Sequence, residues 1–217
     1  MKNSKGQLYI YSHVSKVLKG NPLGDPYERE FPIYFPPTYE NSDKKYPVVF
    51  FIVGFTGTGF SHLNRSFLVE NIQDRFDRLI KEGKMKEMIV VMPDCITKYG
   101  GSQYINSTAT GKYEDYITKE LVPFIDNNFR TIPHAHSRAI CGKSSGGYGA
   151  MILSMRNPDV FGLMCTTAGD AYFEYCYKNE FGFFINDIER YGKGDKGVVN
   201  FIKNEINFKQ PKPKSFH

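Results

Sequence analysis

The 217-residue sequence has no apolar run long enough to cross a bilayer, for which about 20 residues are needed. Its opening residues, Met1-Lys2-Asn3-Ser4-Lys5-Gly6, lack the apolar stretch of a secretion signal. Four cysteines (Cys95, Cys141, Cys165, Cys176) form no Cys-x-x-Cys pair. Cys141 and Cys165 fall inside apolar runs, so buried free thiols are expected in place of disulfides or a metal site. Lys plus Arg exceed Asp plus Glu by 28 to 23, with no long basic block, which gives no reason to expect nucleic-acid binding. Lys209, Lys212 and Lys214 alternate with Gln and Pro and read as a solvated tail. There is no internal repeat. A cytoplasmic protein with one domain over 1–217 is expected, its residues 181–217 forming a helical segment and tail.

What is present is a strand-rich start followed by alternation. Residues 8–14 are aromatic and β-branched, and 29–36 alternate Phe31, Ile33 and Phe35 with more polar neighbours, so both read as strands. Nearly continuous apolar sequence at 46–53 and 88–92 marks strands buried on both faces. Helical spacing covers 61–81 (Leu63, Phe67, Leu68, Ile72, Phe76) and 113–129, where Pro123 is an internal irregularity. A strand, a helix through Met155, a strand at 163–167 and helices at 181–191 and 198–206 complete the pattern. This order predicts an α/β fold: a mostly parallel sheet flanked by helices, with the chemistry at the C-terminal strand ends.

The most informative stretch is Gly142-Lys143-Ser144-Ser145-Gly146, between an apolar run and a helical segment. Gly-x-Ser-x-Gly in a strand–turn–helix context describes a nucleophile elbow, in which a sharp turn lifts the serine Oγ above the sheet. The N–H of Ser145, at the helix start, then points into the same space and can stabilise an oxyanion. Gly142-Lys143-Ser144 also matches the tail of a phosphate-binding loop. That loop requires glycine five positions earlier, where Ser137 stands, and the reading fails.

Several further stretches accompany the elbow: Phe35-Pro36-Pro37-Thr38-Tyr39, Tyr46-Pro47-Val48-Val49-Phe50, Gly54-Phe55-Thr56-Gly57, Val90-Val91-Met92-Pro93-Asp94, Glu120-Leu121-Val122-Pro123-Phe124-Ile125 and Asn157-Pro158-Asp159-Val160-Phe161. In order and separation the set resembles the putative-esterase family of α/β-hydrolases, which includes esterase D, feruloyl esterases, enterochelin esterase-like proteins and mycolyltransferases. The resemblance spans roughly Phe31 to Gly169. It implies a serine carboxyl-ester hydrolase working through an acyl-enzyme on Ser144, on a small-molecule ester, with no metal or organic cofactor. Acyl transfer is the alternative within the same fold. By family position the second oxyanion N–H belongs to Phe55, after Gly54, although the family's usual histidine before that glycine is replaced by Val53. Gly54, Asp94, Tyr104, Glu114 and Asp170 are candidates to line the crevice.

The resemblance also predicts an acid and then a histidine on strands later than those found here. The expectation is therefore a sheet truncated after its sixth strand, and a non-catalytic binding module is the reading from a different class. Among the histidines, His134 and His136 precede the elbow strand and belong at its far end, up to ~25 Å away. His13 is on an outer strand and His217 is terminal. His62, after the 54–59 loop, is the alternative base. The sequence leaves the oligomeric state open.

Overall fold

The computed structural model describes residues 5–64 and 67–205, with side chains to residue 201; the basic tail and His217 lie outside them. The chain divides into two compact units, one running to Gly169 and the other from Asp170.

In the first unit, β1 (Gln7–Val14) and β2 (Glu28–Phe35) pair antiparallel along their whole length. β3 (Val48–Ile52) is followed by α1 (Ile72–Lys81) and β4 (Ile89–Val91). Two short hairpins come next, β5 (Ile96–Thr97) with β6 (Gly100–Gly101) and β7 (Asn106–Ser107) with β8 (Gly111–Lys112). A long helical stretch contains α2 (Tyr113–Asp115) and α3 (Val122–Asn128). β9 (Arg138–Lys143), α4 (Ser145–Arg156) and β10 (Leu163–Thr167) close the unit. The main sheet has the order β1-β2-β4-β3-β9-β10. β4, β3, β9 and β10 run parallel, so their C-terminal ends share one edge. This is the six-stranded α/β arrangement expected.

Both faces of the sheet are covered, as the apolar runs required. On one face Phe31, Ile33, Phe50 and Ile140 pack with Tyr116, Ile117, Leu121 and Leu153. On the other, Tyr34, Val90 and Met92 meet Ile72, Phe76 and Ile80 of α1. Pro123 lacks an N–H and its ring would crowd a preceding carbonyl. The chain answers with a π-helical stretch, Tyr116–Leu121, and the Val122 N–H reaches back to Ile117 O.

The expected helix over 61–81 is shorter. A 3₁₀ turn occupies Gly59–Leu63, and α1 starts only at Ile72, where the Asn71 Oδ1 accepts the Asp74 N–H at 2.9 Å. Phe67 and Leu68, expected on the buried side, are exposed. The turn at Gly59–Leu63 has its own start at Thr58, and the Asn71 cap satisfies a helix-start donor and restarts the helix inside the stretch. Cys165 also departs from expectation: it is free but exposed, because β10 is the edge strand. Cys95 is buried and Cys141 half-buried, both as free thiols.

The second unit is helical: α5 (Phe173–Cys176), α6 (Phe181–Glu189) and α7 (Asp195–Glu205). α7 begins three residues earlier than the spacing predicts. Gly194 adopts φ +57°, and Asp195 then starts the helix with an acidic first turn that favours its N-terminus. Phe201 packs edge-on against Phe184 and Tyr191 to pin α6 to α7. Among the described residues no helix is long and apolar enough to cross a membrane, and no group of three or more His, Cys, Asp or Glu could hold a metal ion.

Candidate active site

Ser144 stands between β9 and α4 with φ 56° and ψ −125°, a conformation rare for a residue bearing a Cβ. Such backbone costs roughly 1–3 kcal/mol and persists only where its surroundings enforce it. Here the enforcement is visible. The Ser144 N–H donates to Thr167 O on β10 at 3.0 Å. A methyl group at Gly142 would lie 2.5 Å from the Gly146 backbone, and one at Gly146 would lie 2.6 Å from Val53 O. Both motif glycines are thus required by close backbone approach. Ser145 is fully buried and opens α4, whose first N–H groups have no acceptor within the helix.

The loop after β3 lies beside the serine. A methyl at Gly54 would sit 3.6 Å from Ser144 Cβ and 3.6 Å from Lys143 O. A tight turn follows, closed by Gly57 N–H to Gly54 O at 3.1 Å. Phe55 leaves about half of its surface open (48 %). Gly54, Phe55, Ser144 and Ser145 are therefore gathered at one strand edge.

The other candidates are not available in the same way. Tyr104 is buried at 3 % exposure; its hydroxyl donates to Val53 O at 2.6 Å and accepts from Val53 N–H at 2.9 Å. Its position is that of a strut beneath the loop. The Asp94 carboxylate accepts from Arg29 Nη1 at 3.1 Å and from Ile96 N–H at 3.2 Å, which engages both oxygens. Glu114 accepts from Arg156 Nη1 at 3.1 Å and Asn157 Nδ2 at 3.0 Å. Asp170 belongs to the second unit, where it accepts the Tyr177 hydroxyl at 2.7 Å.

The described histidines are dispersed. His134 and His136 lie just before β9, at the opposite end of the strand from Ser144. His13 is on edge strand β1, with its ring 5.1 Å from that of Phe124. His62 stacks on Phe51 with ring centroids 4.2 Å apart, and its Nε2 is buried without a hydrogen-bond partner among the described residues. Burial pushes its pKa down to about 4.

One part of the site escaped the sequence reading, residues 100–103, just ahead of the candidate Tyr104. A methyl at Gly100 would lie 2.6 Å from the Phe55 ring, and Gln103 Oε1 accepts the Ser145 hydroxyl at 2.9 Å. The adjacent glycines of Gly100-Gly101 were the available signal, since paired glycines mark close backbone approach.

Comparison with known proteins bears on the family and the fold. A family model described as "Putative esterase" matches residues 26–174, more than half of the chain. An "Endo-1,4-beta-xylanase/feruloyl esterase" of Xylanibacter ruminicola is 30% identical over 149 residues, which is 64% of this chain and 19% of that protein. A solved ferulic acid esterase superposes with TM-score 0.60 at 29% identity, covering 72% of this chain and 56% of that one. An S-formylglutathione hydrolase from Agrobacterium tumefaciens gives TM-score 0.53 at 24% identity, covering 74% and 57%, and shares the fold. The chain thus spans between a fifth and three fifths of the length of these relatives. With the family model matching residues 26–174 and the sheet order in agreement, the chain belongs to the putative esterase family.

Proposed function

We propose that this protein is a serine-dependent carboxyl-ester hydrolase with Ser144 as nucleophile and the N–H groups of Phe55 and Ser145 as the oxyanion hole. The observation that carries the reading is the left-handed turn at Ser144 (φ 56°) with the Gly54 loop alongside it. Ser144 Oγ attacks the ester carbonyl carbon and gives up its proton to a general base. The carbonyl oxygen takes the negative charge and is held by the two N–H groups. Collapse expels the alcohol, which leaves with a proton. Water then attacks the acyl-enzyme, releasing the acid and restoring the Ser144 hydroxyl.

The base role is not given to His62. With a pKa of about 4 it is neutral but weakly basic near pH 7, and its ring is occupied by Phe51. The proposed substrates are aromatic acyl esters of the hydroxycinnamate type. Support comes from the feruloyl and ferulic acid esterases among the relatives and from the half-open Phe55 ring packed against Gly100.

Fluorophosphonate labelling followed by peptide mass spectrometry tests the nucleophile: the adduct is expected on Ser144, and an adduct on Ser145 alone would refute the assignment. Methyl ferulate and p-nitrophenyl acetate hydrolysis test the substrate class, with ferulate preferred. A second reading, an ester-binding module without turnover, is favoured by the dispersal of the described histidines. It predicts labelling or ferulate binding with no Ser144-dependent hydrolysis above about 10³–10⁴-fold over water.

A further inference from the structure

The five residues from Gly100 to Tyr104 touch two of the elements that flank Ser144, the loop after β3 and the start of α4. A methyl at Gly101 would lie 3.1 Å from Phe55 Cα and 3.3 Å from Ser145 Oγ, so this bare backbone packs closely against both residues that carry the proposed donors. Gln103 Oε1 accepts the Ser145 hydroxyl at 2.9 Å. The Tyr104 hydroxyl holds both the N–H and the C=O of Val53, one residue before Gly54. Its ring closes on α4, where a methyl at Gly149 would meet Tyr104 Cδ2 at 2.4 Å.

The backbone of this segment is itself unusual. Gln103 and Tyr104 adopt φ 54° and 57°, two consecutive left-handed residues with side chains. Each such residue costs roughly 1–2 kcal/mol, so the segment is held in a conformation that local propensity opposes. The return is the simultaneous reach of Gln103 to α4 and Tyr104 to β3.

We propose that residues 100–104 brace the oxyanion hole and that Gln103 is a positioning residue, fixing the Ser145 peptide by capturing its hydroxyl. This rests on the esterase reading above and adds to it a source for the rigidity that such a hole needs. Preorganised donors stabilise developing charge because they need no reorientation as it forms. Ser145 is the first residue of α4, where its N–H has no helical acceptor to hold it. Its side chain is then the natural handle, and Gln103 grips it.

The test measures the rate of Ser144 phosphonylation by a fluorophosphonate at several probe concentrations, which separates probe binding from the covalent step. Gln103→Ala and Ser145→Ala are each expected to slow the covalent step by about 10-fold, the scale of one hydrogen bond, with the saturation constant little changed. The double variant should be no slower than either single one, since both remove the same contact. Multiplicative losses, a loss confined to probe binding, or wild-type rates in a folded Gln103→Ala protein would each overturn the proposal. Thermal melting checks folding. If Gln103→Ala melts below the assay temperature, Ser145→Ala decides alone, and an unchanged rate there refutes the brace. A wild-type protein that never labels at Ser144 removes the esterase reading and this inference with it. Normal wild-type labelling with unaffected variants removes only the inference.

Discussion

β9 and β10 are neighbouring parallel strands of similar apolar character, yet they have different fates. β9 is paired on both sides, and Arg138, Ile140 and Gly142 are buried along one face. β10 is paired on one side only, and all of its residues from Leu163 to Thr167 are exposed. The strained serine follows the interior strand, where backbone from β3, α4 and β10 approaches from three directions. A conformation that costs energy can be kept where packing is densest. The comparison teaches that the geometry of the turn at Ser144 comes from crowding around β9, to which β10 adds the Thr167 carbonyl and the Thr166 hydroxyl bonded to Gly147 O.

The strongest way to sharpen this contrast is chemical. Ser144→Ala should abolish fluorophosphonate labelling and lower any ester hydrolysis at least ~10³-fold, whereas Thr167→Ala, which keeps the backbone carbonyl, should leave labelling near wild type. Next in size are the packing variants. Gly146→Ala drives a methyl to 2.6 Å from Val53 O and is expected to cost about 1–3 kcal/mol or more in urea denaturation. Tyr104→Phe leaves the buried N–H and C=O of Val53 without their partner and should cost about 1–3 kcal/mol, with slower labelling.

A pH series gives a smaller effect. His62, stacked beside central strand β3, has its pKa lowered from 6.5 to about 4 by burial. Above pH 6.5 it is neutral in both folded and unfolded chains and contributes no pH dependence. As pH falls from 6.5 toward 4 the unfolded chain takes up the proton first, so stability is lost across that window. The urea midpoint should therefore fall over this range in the wild type and fall less in His62→Phe; equal slopes would show that His62 does not titrate in this way. The smallest effect belongs to the edge. Cys165→Ser on β10 should shift stability by no more than ~0.5 kcal/mol, and a large loss would mean that β10 is covered in solution.

Much of this arrangement was legible in the order of residues. Gly-x-Ser-x-Gly between an apolar run and a helical segment located the strained turn at Ser144, because strand, turn and helix follow one another within a few residues. Continuous apolar runs identified the parallel interior strands, since a strand covered on both faces has nowhere to put polar side chains. Pro123 announced an irregularity and the π-helical stretch supplied it. The single long helix over 61–81 was misread because apolar spacing continued across a capping residue, Asn71, that restarts the backbone.

What only the tertiary structure decided is which residues meet across distance. Sequence spacing could not say that Cys165, inside an apolar run, would lie open to solvent on β10. Nor could it say that Asp94 and Glu114 are taken up by Arg29 and Arg156, or that Tyr104 is a buried strut. Gln103 reaches Ser145 across 42 positions, and Tyr104 reaches Val53 across 51. Local pattern sets the conformation of each segment through backbone sterics and the alternation of polar and apolar side chains. The partner of a side chain is set by strand order, which brings β3, the 100–104 segment and α4 to one edge only once the sheet has closed.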